Sequence, residues 1–298
     1  MLSEDVVHTL YDRPTFLSLV GDIKDRRVLD LGCSIGSLTE TFILRGAEVL
    51  GVDRDERAIA AARKYLGQRA GFEVADVSDG LGFVEESSID VVTASLVFDY
   101  IEDWEPVLKS VKRVLKAEGR LVMSMHHPMW DLWHGNSIGS YFSVTKCDDR
   151  WTTREGDEVK RVTYRRPLGY VMDALRLSGL RTDILTEPKP LPALRNFRPD
   201  VFEHVSKVPW FLALRALNVP GEDLTAAEQV YLGKRRSNEV VNGRRPDGIC
   251  RLGFDLVPAE ISSRRPGVAG VPQYRRARDR DARHRREHDR SRTHRPSR

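Results

Sequence analysis

An apolar run that turns sharply at glycine constrains this 298-residue chain more than any other feature. Val28-Leu29-Asp30-Leu31 reads as a strand, Gly32-Cys33-Ser34-Ile35-Gly36 as a tight turn, and Ser37-Leu38-Thr39-Glu40 as the opening of a helix. A glycine turn between strand and helix exposes bare backbone to a ligand, because no Cβ stands in the way. Such turns lie at the carboxyl ends of parallel strands, where open α/β sheets bind their ligands. A dinucleotide fold needs Gly-x-Gly-x-x-Gly, whose second glycine admits a pyrophosphate. Here Ser34 stands in place of that glycine and Asp30 precedes the first one. The spacing therefore favours a ligand with an amino-acid end over a pyrophosphate.

The chain continues in register. Glu48-Val49-Leu50-Gly51-Val52-Asp53 reads as a second strand ending on a carboxylate, where an acid can accept hydrogen bonds from a ribose diol. Ala58 to Gln68 reads as a helix with Ile59, Ala62 and Leu66 on one face. Phe72 to Val77 is a predicted third strand closing on Asp76. Ile89 to Leu96 is a near-continuous apolar run, as expected of a parallel strand buried on both faces. Each acid alone fits a helix cap, but three acids after three successive strands form a pattern.

This pattern resembles motif I and its neighbours in the class I methyltransferases that use S-adenosylmethionine. Tyr100-Ile101-Glu102-Asp103-Trp104, Val111 to Lys116 and Arg120 to Pro128 resemble the later segments of small-molecule enzymes in the broad ubiquinone-biosynthesis-like group. Tyr164 to Leu168, the helix to Gly179, Glu187 to Pro190 and Pro209 to Ala216 continue the likeness, which spans about residues 6 to 218. The resemblance implies an α/β, Rossmann-like, doubly wound sheet of seven mostly parallel strands with an antiparallel last strand, plus an insertion after the fifth. It also implies S-adenosylmethionine as cofactor, held around Asp30, Gly32, Cys33, Gly36, Asp53, Arg54, Asp76, Val77 and Ser95, with Asp76 on the adenine amine. The acceptor site it implies is shaped by Tyr11, Asp99, Tyr100, Trp130 and Trp133. Two departures stand out: Gly32-Cys33-Ser34 replaces the frequent Gly-x-Gly, and Asp99 stands where many relatives have His before the Tyr.

The cofactor-binding domain is expected over residues 1–218, with 128–165 as an aromatic insertion on the acceptor side carrying Trp130, Trp133, Tyr141, Phe142, Trp151 and Tyr164. An extension follows over 219–261, with Leu224 to Leu232 as one possible helix, and then an Arg-rich tail over 262–298. From Arg275 to Arg298 there are 11 Arg against 4 acids, a net +7, so the rest of this +4 chain carries −3. The tail holds no Leu, Ile, Val or aromatic residue after Tyr274 and is expected to be disordered. No apolar run reaches the ~20 residues of a membrane span. The N-terminus lacks the marks of a signal peptide, and Cys33, Cys147 and Cys250 form no CxxC pair, so a cytoplasmic protein without a metal site is expected.

Methyl transfer is an in-line displacement whose rate gains much from alignment of the reactants. A base is needed only when the acceptor must lose a proton. His126 and His127 leave the fifth predicted strand at its carboxyl end, and imidazole suits proton removal near neutral pH. Because strand residues alternate in direction, at most one of the two is expected to reach the acceptor; Asp99 is the rival base. The Ser95-Leu96-Val97-Phe98-Asp99-Tyr100 segment lacks the Asn/Asp-Pro-Pro-Tyr run of enzymes that methylate base amines. A small-molecule acceptor at oxygen or carbon is expected, with nucleic acid disfavoured. Two other readings stay open: an RNA or protein methyltransferase recruited through the basic tail, and a non-catalytic S-adenosylmethionine-binding protein.

Overall fold

The structure is a computed structural model that describes residues 4–130, 140–152, 158–221, 228 and 240–243. The N-terminal pair α1 (Glu4–Leu10) and α2 (Asp12–Val20) leads into β1 (Arg27–Leu31), α3 (Ser37–Leu44), β2 (Glu48–Asp53), α4 (Glu56–Leu66) and β3 (Gly71–Val74). Then come β4 (Ile89–Ser95), α5 (Trp104–Val114), β5 (Leu115–His126), β6 (Val144–Thr152), β7 (Glu158–Arg165) and α6 (Leu168–Leu177). The remaining elements are β8 (Arg181–Thr186), α7 (Leu194–Phe197), α8 (Pro199–Val205), β9 (Phe211–Leu217) and β10 (Val240–Gly243).

Seven strands form one Rossmann-like, doubly wound sheet in the order β3-β2-β1-β4-β5-β9-β8. Strands β1 to β5 pair in parallel, while β9 runs antiparallel between β5 and β8. The inner strands are buried on both faces, as parallel strands covered by helices must be. The strand order reverses between β1 and β4, so the loops leaving them diverge and open a crevice, the usual ligand site of such sheets.

Local chemistry sets the element ends. Helix α4 starts two residues before the expected Ala58, because the Asp55 side chain accepts from the Arg57 and Ala58 amides, and it stops at Gly67 (φ +58°). Its buried residues are Ile59, Ala62 and Leu66, as the spacing predicts. The third strand ends at Val74 rather than at Val77, since Asp76 instead caps a short 3-10 turn, Val77–Asp79. The fifth strand begins early, at Leu115, and ends at His126.

The insertion is not merely a loop. Strands β6 and β7 form an antiparallel hairpin, and β10 adds to β6 in parallel, giving a second sheet ordered β10-β6-β7. The chain partitions into one unit over Met1–Val257 and another over Pro258–Arg298; the latter, with the expected tail, lies outside the described residues. Most of Leu224 to Leu232 does too.

The largest side chain in the core under the crevice is Trp104, at the start of α5. Its ring meets Phe98 edge-on at 4.9 Å, and its indole N–H donates to the Phe98 carbonyl at 2.9 Å. Trp104→Ala should destabilise the fold by about 3–5 kcal/mol. Trp104→Phe keeps most of the packing and leaves the Phe98 carbonyl with the Ile101 amide as its remaining donor, for about 0.5–1.5 kcal/mol. Urea midpoints of the two variants check this ranking.

Candidate active site

The turn after β1 is held from below by β2. The Gly32 and Cys33 amides both donate to the Val52 carbonyl, at 2.7 and 3.0 Å, and the Ser34 amide donates to Asp53 Oδ2 at 2.9 Å. Gly32 (φ +67°) and Gly36 (φ +89°) lie in the left-handed region that favours glycine. They also permit close packing: a Cβ at Gly32 would stand 2.3 Å from Val97 Cγ2, and one at Gly36 would stand 2.8 Å from Leu66 Cδ1. Ser34 itself has φ +50°, which accounts for the glycine that the resemblance places at this position. The buried Cys33 thiol sits under the same turn, and burial pushes its pKa up.

Asp30 does not project into the crevice. It is 2% exposed, with Oδ2 accepting from Thr39 of α3 at 2.7 Å and Oδ1 accepting from Thr93 of β4 at 2.9 Å. Burial pushes its pKa up to about 6 against the two hydroxyl bonds, which lower it. Its charge therefore reaches a ligand through the field and not by contact.

The other two acids stand at strand tips. Asp53 accepts from Ser34 and, through Oδ1, from the Asp55 amide at 2.9 Å. Asp76 takes the Ser78 amide at 2.9 Å and lies 3.6 Å from Arg54 Nη1. Desolvation works to raise the Asp76 pKa, but those two partners outweigh it and hold the group below its usual range. Val77 is buried beside it, and Ser95 Oγ lies 3.4 Å from Ser124 Oγ across β4 and β5. Helix α3 begins at Gly36 with no side-chain cap, so its first-turn amides face the crevice end as a ready anion site.

The far side of the crevice is built from β5 and the turn after β4. Asp99, 4% exposed, accepts from both the backbone amide (2.9 Å) and ring Nδ1 (2.8 Å) of His126. An acceptor at Nδ1 places the proton there and leaves the lone pair on Nε2. His127 is arranged oppositely. Its Nδ1 accepts the Met129 amide at 3.2 Å, and Nε2 lies 3.0 Å from Glu187 Oε1. Its proton therefore belongs on Nε2, and burial lowers its pKa against the opposing pull of Glu187. The two neighbours thus hold opposite tautomers.

Tyr11 is buried, with its hydroxyl accepting the Trp210 amide at 2.8 Å, and burial pushes its pKa up to about 12. Trp130 meets Trp210 edge-on at 4.9 Å, and its ring centre lies 6.1 Å from that of His126. Tyr100 is half-buried in the 3-10 turn Phe98–Tyr100, and Trp133 lies outside the described residues. Four residues with a part in this geometry have no role in the sequence-based reading: Thr39, Thr93, Glu187 and Arg166. All four sit inside segments that reading quotes, yet nothing in a linear pattern pairs Thr39 and Thr93 with Asp30 or Glu187 with His127, or marks Arg166 as buried. Among the described residues no group of three or more His, Cys, Asp or Glu is placed to hold a metal, and no helix is long and apolar enough to cross a membrane.

Known proteins share this arrangement. Residues 29–123 match the family described as Methyltransferase domain. An uncharacterized protein of Haemophilus influenzae is 31% identical over 168 residues, covering 53% of this chain and 59% of its own length. A ubiquinone biosynthesis O-methyltransferase of Hahella chejuensis is 32% identical over 115 residues, covering 38% of this chain and 48% of its own. The chain thus spans about half the length of the curated relatives it matches. Among solved structures, an S-adenosylmethionine-dependent methyltransferase from Mesorhizobium loti superposes with a TM-score of 0.55 at 24% identity, over 68% of this chain and 96% of that one. A Listeria monocytogenes structure of the same description reaches 0.59 at 23%, over 69% and 95%. Over residues 29–123 the chain is thus similar to that family, and its fold is the one seen in these solved S-adenosylmethionine-dependent methyltransferases.

Two outcomes follow for the glycine turn. Asp30 is held nearer its neutral form in the fold than in the unfolded chain. Its contribution is therefore complete below pH 3.8 and lost as pH rises through about 6. Asp30→Asn should remove that dependence, so that near neutrality the natural chain is less stable than the variant by up to about 3 kcal/mol; denaturant titrations at pH 4 to 8 read this. Ser34→Gly should stabilise the fold by roughly 1 kcal/mol through relief of the positive φ, with the backbone bond to Asp53 kept. The shift in Tm measures it.

Proposed function

We propose that the chain transfers the methyl group of S-adenosylmethionine to a small-molecule acceptor, at oxygen or carbon, and that Nε2 of His126 takes the acceptor's proton. When bound, the cofactor supplies an electrophilic methyl on a sulfonium. The residues present fit it. The uncapped first turn of α3 suits its carboxylate, the Asp53 carboxylate has lone pairs left for a ribose diol, and Asp76 stands where an adenine amine could donate. Gly32, Gly36, Cys33, Val77, Arg54 and Ser95 form the walls, and buried Asp30 lends negative potential beneath a cationic ligand.

The Asp99–His126 pair is the observation that carries the chemistry. Asp99 fixes the ring tautomer and orientation and stabilises the imidazolium that forms on proton transfer. Asp99 acts here as a positioning residue. His127 has both ring nitrogens engaged, so it serves as a wall that ties β5 to Glu187. Tyr100 and Trp130 border the acceptor side, and Tyr11 braces the segment before β9. The O-methyltransferase activity for which the Hahella relative is named supports oxygen as the acceptor atom. The free thiols of Cys33 and Cys147 agree with a reducing, cytoplasmic setting.

Calorimetry with S-adenosylhomocysteine should show binding, with Asp53→Ala weaker by about 1.5–3 kcal/mol for the lost charge-assisted bonds. Binding of NAD in its place would overturn the cofactor assignment. Transfer of labelled methyl into a small-metabolite extract should fall by about 10²–10⁴-fold in His126→Ala while S-adenosylhomocysteine affinity is kept. His127→Ala should retain most of the rate; the reverse ranking would move the base to His127.

A further inference from the structure

Beyond the end of β5 lies a cavity lined by Asp99, His126 and His127 together with Thr163, Arg165 and Arg166 of the inserted hairpin and the residue after it. It holds about 280 Å3 of atom-free space, its mouth included. The buried polar atoms there without a hydrogen-bond partner include Thr163 Oγ1 and Arg166 Nε. Thr163 is 7% exposed and Arg166 is fully buried.

Arg166 is an unusual group to bury. Its Nη atoms donate to the carbonyls of Tyr164, Ile101 and Glu102, and its guanidinium lies 4.7 Å from the Trp104 ring centre, 5.4 Å from that of Tyr170 and 5.6 Å from that of Tyr164. It forms no ion pair with a described carboxylate. The Asp99 carboxylate attracts this guanidinium at longer range without forming an ion pair with it, and a buried charge so partly compensated is expensive, so the site gains from a ligand that brings a second negative charge. The cavity wall holds two guanidinium groups against one carboxylate, Asp99, which is already engaged by His126. A carboxylate at the Thr163 and Arg166 end would meet two unpartnered polar atoms and leave the rest of a small acceptor toward the mouth beside His126.

We infer that the acceptor is an anion, a small oxyacid whose carboxylate is held by Thr163 and Arg166 while its reacting hydroxyl or carbon faces His126. This rests on the reading of His126 as the acceptor-side base. It adds a specificity-determining contact supplied by the insertion, not by the cofactor-binding sheet.

The test compares 4-hydroxybenzoate with 4-hydroxybenzamide, which match in shape and differ in charge. Binding is followed by ligand-observed NMR on the full chain, with and without S-adenosylhomocysteine. The acid should bind about tenfold or more tightly than the amide, as a charge-assisted contact requires. Thr163→Val, which keeps the shape, should weaken the acid severalfold and leave the amide unchanged. Arg166→Met should erase the preference, and its thermal melt shows whether it folds. Equal binding of acid and amide, binding of neither, or an acid affinity untouched by Thr163→Val overturns the proposal. Failure of S-adenosylhomocysteine to bind in calorimetry would instead count against the methyl-transfer reading, and the NMR comparison without it still decides the anion question.

Discussion

A carboxylate buried between two threonines ties together the three elements on which the rest of the molecule depends. Asp30 belongs to β1, Thr39 to α3 and Thr93 to β4, so the pair of bonds at 2.7 and 2.9 Å clamps the first strand to its helix and to its neighbour across the reversal of strand order. An ionised group in such a place opposes folding, and the rise of its pKa to about 6 expresses that cost. The turn above it inherits the geometry: Gly32 and Cys33 fold down onto the Val52 carbonyl, and Ser34 is forced to positive φ. Strain and buried charge thus concentrate where the sheet meets its ligand, which is where a fold built for function departs from the most stable arrangement.

Much of this was legible in the linear chain because it is local or periodic. The strand–turn–helix at Val28 to Glu40, the acid at the end of β2 and the apolar runs of the inner strands each occupy one short window, while the doubly wound sheet is implied by the family resemblance and its strand order is seen only in the structure. What the sequence could not show depends on contacts between distant segments. Asp30 reads as a ligand contact from its place in the motif, yet Thr93, 63 positions away, takes one of its oxygens. Two adjacent histidines look equivalent until Asp99 and Glu187 are brought to opposite ring nitrogens. Arg166, sealed among three aromatic rings, is indistinguishable in the chain from an exposed arginine such as Arg181.

The site therefore has two parts with different origins. The donor side comes from β1, β2 and β3, whose loops are short and held by backbone bonds. The acceptor side is assembled from the turn after β4, the end of β5 and the inserted hairpin, and its polarity is set by side chains. Within the second part, Asp99 joins the turn after β4 to a ring at the end of β5.

The pairing of β10 with β6 gives this division a historical dimension. β10, from Val240 to Gly243, completes the small sheet whose β7 carries Thr163 and Arg165. The hairpin that lines the cavity is thereby extended by chain that the seven-stranded sheet does not need. Insertions, deletions or shuffling in that annex can retune what is recognised while the donor machinery is inherited intact. A single ancestral scaffold can diversify its chemistry by editing its margin.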